Sequence, residues 1–172
     1  NRTLYNESQF GPLTRVDLVT GEAKSIAYQR QKPETRWNWC APILVSAHNS
    51  DVIYHCGNIV VMSTNRGESW TEISPDLSTN DPAKLTVNGK GGDGNIQYCT
   101  ITAFDESPLV PGLLWAGTDD GNVWVTRDNG RAWVKLCSRD AADTSGSVVT
   151  VEARLLVPPT IGFCSDLDAY DN

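Results

Sequence analysis

Four aspartates, Asp76, Asp93, Asp119 and Asp120, have the residue type for acid–base work, and Arg36, Trp37 and Trp39 the types to hold a ligand. Two carboxyl groups roughly 5–5.5 Å apart can cleave a glycosidic bond with retention, and two roughly 6.5–9.5 Å apart with inversion, where aromatic surface holds the sugar rings. Asp119 and Asp120 are neighbours in Thr118-Asp-Asp-Gly-Asn122, so their side chains are expected to diverge. One of them with Asp76 or Asp93 is the better couple. The competing reading of Asp-Asp-Gly-Asn is a β-turn whose Asp accepts local N–H groups and whose Gly takes positive φ. That turn reading is preferred.

Other chemistries find less footing. His48 is expected in a turn, and His55 stands beside Cys56 on a strand, where adjacent side chains leave by opposite faces and form no dyad. No nucleophile elbow and no phosphate-cradling glycine motif occurs. Five cysteines (Cys40, Cys56, Cys99, Cys137, Cys164) show no Cys-x-x-Cys and no zinc-ligand spacing, and their odd number leaves at least one unpaired. Gly91-Gly-Asp-Gly-Asn95 offers oxygen ligands for Ca²⁺ without EF-hand spacing, and reads as a solvated loop. No metal and no cofactor is expected. A net charge of -7 argues against a phosphate-backbone grip, and no apolar run approaches the roughly 18 residues of a membrane span. The acceptor patterns Asn1-Arg-Thr3 and Asn6-Glu-Ser8 tilt the reading toward an exported protein, extracellular or periplasmic.

These residues must be positioned by a repeat. Ser63-Thr-Asn65-Arg-Gly67-Glu-Ser-Trp70 recurs 63 positions on as Thr126-Arg-Asp128-Asn-Gly130-Arg-Ala-Trp133. The pattern S/T-x-D/N-x-G-x-x-W is a hairpin turn, with the Asx side chain accepting backbone N–H groups, Gly at positive φ, and Trp opening the next strand. Its flanks read as strands in both copies, and each unit holds four strands, A to D. Matched positions lie 61 apart in strands A and B but 63 apart in C and D, which puts a two-residue insertion at Thr118–Asn122. The organisation expected is the end of one blade over 1–27, a full blade over 37–73, a long loop over 74–98, a full blade over 99–137 and the start of another over 147–172. The fold class is thus all-β, a partial β-propeller of two full and two half four-stranded antiparallel blades, where a ring usually needs four to eight.

The sequence resembles the Asp-box (BNR) repeat propellers, which include sortilin-type receptor domains, sialidases and xyloglucanase-type glycosidases. It is most similar to bacterial propeller proteins labelled glycosyl hydrolase. The resemblance rests on Arg36-Trp-Asn-Trp39, Ile73-Ser-Pro-Asp-Leu77, Glu106-Ser-Pro108 and Trp115-Ala-Gly-Thr-Asp-Asp-Gly-Asn122 running into Val125-Thr-Arg-Asp128, and covers most of the chain. The first box departs from the pattern with Asn65. In a propeller the B–C turns share one face with the D-to-A connections, and the C–D turns share the other. The boxes (Ser63, Asn65, Gly67, Trp70; Thr126, Asp128, Gly130, Trp133) are therefore read as structural, and Arg36, Trp37, Trp39, Asp76, Asp93, Asp119 and Asp120 gather on the opposite face. In resembling glycosidases that face binds the glycan. Sialidase chemistry is the weaker implication, because Arg36 stands there without the further arginines that hold a sialic carboxylate.

The expected function is a non-catalytic segment that binds protein, peptide or glycan or serves as a structural unit; the alternative is a glycoside hydrolase subunit using a carboxylate pair. The ends are expected to fall inside blades. Other copies or other propeller chains, or missing sequence of a longer parent, would then complete them.

Overall fold

The computed structural model describes residues 2–29, 35–85 and 98–138. Among them lie β1 (Thr3–Glu7), β2 (Leu13–Asp17) and β3 (Ala23–Ser25); β4 (Ile43–Val45), β5 (Ile53–Cys56), β6 (Val60–Ser63) and β7 (Thr71–Glu72); and β8 (Ile101–Glu106), β9 (Leu114–Thr118), β10 (Asn122–Thr126) and β11 (Val134–Ser138). They form a first sheet of three strands and a second and third of four, each antiparallel with strands adjacent in chain order. No described residue is helical. The end of a blade expected over 1–27 holds three strands rather than a half-blade of two, with β1 paired to β2 from Thr3 opposite Asp17 to Glu7 opposite Leu13. The expected strands beyond residue 146 and the Asp93 loop lie outside the described residues.

The repeat is visible in the backbone. Ser46 N–H donates to the Val52 carbonyl at 2.9 Å, and Ser107 N–H to Leu113 at 2.9 Å, so the first turns of the second and third sheets have the same length and the same closing bond. Short β-branched runs supply the strands, and their alternation supplies two faces. On β5, Ile53 packs with Leu13 and Ile26 of the first sheet, while Tyr54 and Cys56 pack with Ile101, Leu114 and Ala116 of the third. The second sheet is thereby buried on both faces. A fully buried Ile or Leu contributes about 1.5–3 kcal/mol, so these layers carry most of the stability.

The repeated turns are hydrogen-bonded alike. Ser63 Oγ donates to Asn65 Oδ1 at 2.9 Å and accepts Gly67 N–H at 2.8 Å, and Asn65 Oδ1 accepts Ser69 N–H at 2.9 Å. Thr126 Oγ1 donates to Asp128 Oδ1 at 2.8 Å and accepts Gly130 N–H at 3.0 Å, and Asp128 Oδ1 accepts Ala132 N–H at 2.9 Å. Asn65 retains the acceptor that Asp supplies. Each turn also reaches back to the preceding sheet: Trp70 Nε1 donates to the Ile26 carbonyl at 2.7 Å, and Trp133 Nε1 to the Ile73 carbonyl at 2.8 Å. The glycines make room for this contact. A Cβ on Gly67 would lie 2.5 Å from Ile26 Cδ1, and one on Gly130 2.5 Å from the Ile73 carbonyl oxygen, both at φ +87°.

Gly130→Ala is therefore expected to lower the free energy of unfolding by about 2–4 kcal/mol, from strain at positive φ plus the clash. Gly67→Ala should cost less, because its nearest obstacle is a side-chain tip rather than backbone. Urea unfolding measures both; wild-type stability in Gly130→Ala would show that the contact does not hold the sheets together.

Candidate functional site

Residues 35–41, the connection into β4, touch all three sheets at the rim opposite the repeated turns. Arg36 N–H donates to Asn58 Oδ1 at 2.9 Å, in the β5–β6 turn. Its guanidinium donates to Asp76 Oδ2 at 2.7 Å, to Ser78 Oγ at 3.1 Å and to the Cys99 carbonyl at 3.2 Å. Asn38 Nδ2 donates to Thr100 Oγ1 at 2.9 Å, just ahead of β8. Toward the first sheet, Glu7 Oε1 accepts Gly11 N–H at 3.1 Å, and the Ala41 backbone lies near the same carboxyl. Trp39 meets Phe10 edge-to-face, with ring centroids 5.3 Å apart.

The two tryptophans of this strap part company. Trp37 is 3% exposed and stacks on the buried His55 imidazole at 4.3 Å. It fits beneath Gly11, where a Cβ would lie 2.6 Å from its ring. Trp37 therefore has no free face for a ligand, and Arg36 is committed to Asp76 and Cys99. Of the three expected ligand residues, Trp39 remains presented to solvent, at 37% exposure.

The carboxylates differ sharply. Asp76 Oδ1 accepts Ser78 N–H at 2.9 Å and Ser78 Oγ at 2.6 Å, while Oδ2 accepts Arg36 and, at 2.8 Å, Asn58 Nδ2. Burial acts to raise its pKa, but the donors of Ser78, Asn58 and Arg36 outweigh it and hold the carboxyl below its ordinary value. Asp120 Oδ2 accepts Thr79 N–H at 2.7 Å and Thr79 Oγ1 at 2.8 Å, and Oδ1 accepts the Thr118 hydroxyl. Asp119 turns the other way, accepting Thr100 N–H and Oγ1 at 3.0 Å each. Burial and the neighbouring Asp120 push Asp119 up to about 6 against those two bonds. Thus Asp76 and Asp120 tie the connection after β7 to the strap and the β9–β10 turn, while Asp119 is held near a working proton affinity. Asp93 lies outside the described residues. Among the described residues no three His, Cys, Asp or Glu converge as a metal centre.

His48 shares a hydrogen bond of 2.8 Å with the Ser107 carbonyl through Nε2, and burial depresses His55 to about 3. Cys40, Cys56 and Cys99 are unpaired thiols. On the opposite rim an open depression of about 160 Å³ is lined by Thr3, Arg15, Asp17, Glu22, Lys24 and Arg66. Arg15 and Lys24 there are spent on Glu68, at 2.8 and 2.6 Å. Sequence reasoning misses Glu7, Phe10, Asn38, Asn58 and Thr100. The Gly11-Pro12 turn signal places Phe10 at the strap's rim; the others carry no signal beyond their position.

No protein-family model and no curated protein sequence matches the chain. Among solved structures it is similar to YCF48 bound to a D1 peptide, with TM-score 0.50 and 19% identity over 79% of this chain and 37% of that one. It is also similar to the GH74 enzyme of Niastella koreensis (TM-score 0.49, 14% identity, 89% of this chain and 21% of that one). A third is the GH74 xyloglucanase of Xanthomonas campestris (0.46, 14%, 72% and 17%). The likeness to the first is one of fold: the chain is all-β and forms part of a β-propeller. It spans well under half the length of the structures it matches.

Asp119 links the site to stability. Its pKa in the folded chain, about 6, lies above the ordinary aspartate value, so its contribution is full below about pH 4 and is lost as pH rises through 6. Wild type should therefore lose about 2–3 kcal/mol relative to Asp119→Asn between pH 4 and 7. Urea midpoints over that range test this; parallel curves for the two proteins would contradict it.

Proposed function

We propose that this chain is a non-catalytic propeller segment that works by binding, with its ligand on the strap face. The carrying observation is the saturation of Asp76 and Asp120 by hydrogen-bond donors. Glycosidic cleavage needs two available carboxyl groups, and among the described residues Asp119 has no such partner at Asp76 or Asp120. The exposed Trp39 gives that face an aromatic contact surface. A peptide is bound by the similarly folded YCF48, which makes a peptide an admissible ligand for this chain too. A second reading, a glycoside hydrolase-like subunit, is favoured by Asp119 itself, whose raised pKa suits a general acid. Xyloglucan and β-glucan oligosaccharides separate the two. No turnover is expected by product chromatography; turnover that Asp119→Asn abolishes would replace binding with hydrolysis.

Assembly and export belong to the same reading. Leu136 holds the position of Ile73, three residues past the motif tryptophan, yet is 45% exposed, with Val134 at 58%. This supports a further blade packing on β11, which residues 147–172 would begin and another copy, another propeller chain or further sequence of a longer parent would complete. Light scattering at micromolar concentration should report a particle heavier than one chain, which Leu136→Asp reduces; a clean wild-type monomer would refute self-assembly. The exposed Asn6 in its acceptor pattern supports an exported protein. In a secretory host, glycosidase treatment should shift its mass, and an unmodified Asn6 would remove that support.

A further inference from the structure

His55 is fully buried on β5, and neither of its ring nitrogens has a hydrogen-bond partner. Buried polar atoms are seldom left so, because the water they lose is not replaced. The repeat does not ask for an imidazole here. Ile53 and Leu114 stand opposite the motif residues Ser63 and Thr126, which matches His55 with Ala116. Ala116 is equally buried, in the cluster that holds Tyr54 of the sheet before it, so a methyl group meets the demands of the fold at this place.

The imidazole sits where the first sheet meets the second. It stacks on Trp37 at 4.3 Å, and Trp70 lies 6.4 Å away. Each indole makes one of the contacts that join the two sheets: Trp37 fills the slot under Gly11 in the β1–β2 turn, and Trp70 Nε1 donates to the Ile26 carbonyl beyond β3. The ionisable groups of the elements packed here are directed elsewhere. Tyr28, tilted on Trp37, donates to Glu72 of β7 at 2.6 Å, and Glu7 accepts Gly11 N–H. Arg36 of the strap is engaged by Asp76, Cys40 is exposed, and Cys56 packs on the other face of β5. Among the described residues no carboxylate pairs with His55, and burial alone depresses its pKa to about 3 from an ordinary 6.5.

A proton on this ring is a buried charge without a partner, and water must reach it. The indole face of Trp37 offsets part of that cost but gives neither N–H an acceptor. We propose that His55 is an acid-sensitive latch: its protonation lifts Trp37 from its slot and opens the joint between the first and second sheets, releasing the strap. The closed joint keeps the ring neutral. Closure is therefore fully favoured above about pH 6.5 and weakens about tenfold per pH unit below it, until the closed form itself takes up a proton near pH 3.

Hydrogen exchange followed by NMR on the whole chain, corrected for the direct effect of pH, tests this. Arg36 N–H donates to Asn58 Oδ1 at 2.9 Å and Asn58 N–H to the Arg36 carbonyl at 3.0 Å, so this pair reports release of the strap. Both, and the Trp70 indole N–H, should open about thirtyfold more at pH 5 than at pH 7.5. The Trp133 indole N–H, the same donor in the repeat that carries Ala116, is the internal reference and should show no such rise. Local exchange is needed because Asp119 acts on overall stability in the opposite direction as pH falls. His55→Leu and His55→Phe should abolish the acid response, and His48→Asn, at the other histidine, should leave it intact. No response in the wild type, or an equal one at Trp70 and Trp133, overturns the latch whether or not the variants fold. Acid opening that persists in folded His55→Leu or His55→Phe overturns it as well.

Discussion

One indole N–H donated across a gap between sheets sets the arrangement of this molecule. Trp70 and Trp133 each cap a carbonyl at the end of the preceding sheet, and the motif glycine lets the turn close on the isoleucine that bears it. A buried carbonyl without a donor costs about 1–3 kcal/mol, so the bond fixes where one sheet ends relative to the next. The hydroxyl and Asx side chains of the motif do not face a ligand. They fold the turn so that Gly and Trp arrive together, which is why Asn65 serves as well as Asp128.

At the other rim the strap plays the complementary part. Its residues alternate between inward and outward duties, with Trp37 packed on His55, Trp39 held against Phe10, and Arg36 and Asn38 bonded to the segment before β8. Two of three aspartates on this face, Asp76 and Asp120, end in the same service. What a functional surface inherits is the remainder after these structural demands are met: the ring of Trp39 and the carboxyl of Asp119.

The strands were legible because their determinants are local. The 63-residue recurrence, the Gly and Asx positions and the β-branched runs all act over a few residues, and the sheets follow them. The divergence of Asp119 and Asp120 was legible for the same reason. The roles of Trp37 and Trp39 were not, since they share a residue type and spacing and differ only in what lies above them: Gly11 opens a slot for one, and Phe10 stands beside the other. Arg36 looked like a ligand group because its partners come from Asp76 and Cys99, 40 and 63 residues away. No spacing rule announces such pairings.

The direction of the tryptophan contact has a consequence for reading variants. Each motif secures the sheet before its own, so damage is displaced one repeat toward the N-terminus. A substitution at Trp133 or Gly130 frees the end of β7, and one at Trp70 or Gly67 frees the end of β3. A map that assigns each substitution to the sheet in which it sits will misplace the lesion by a whole repeat.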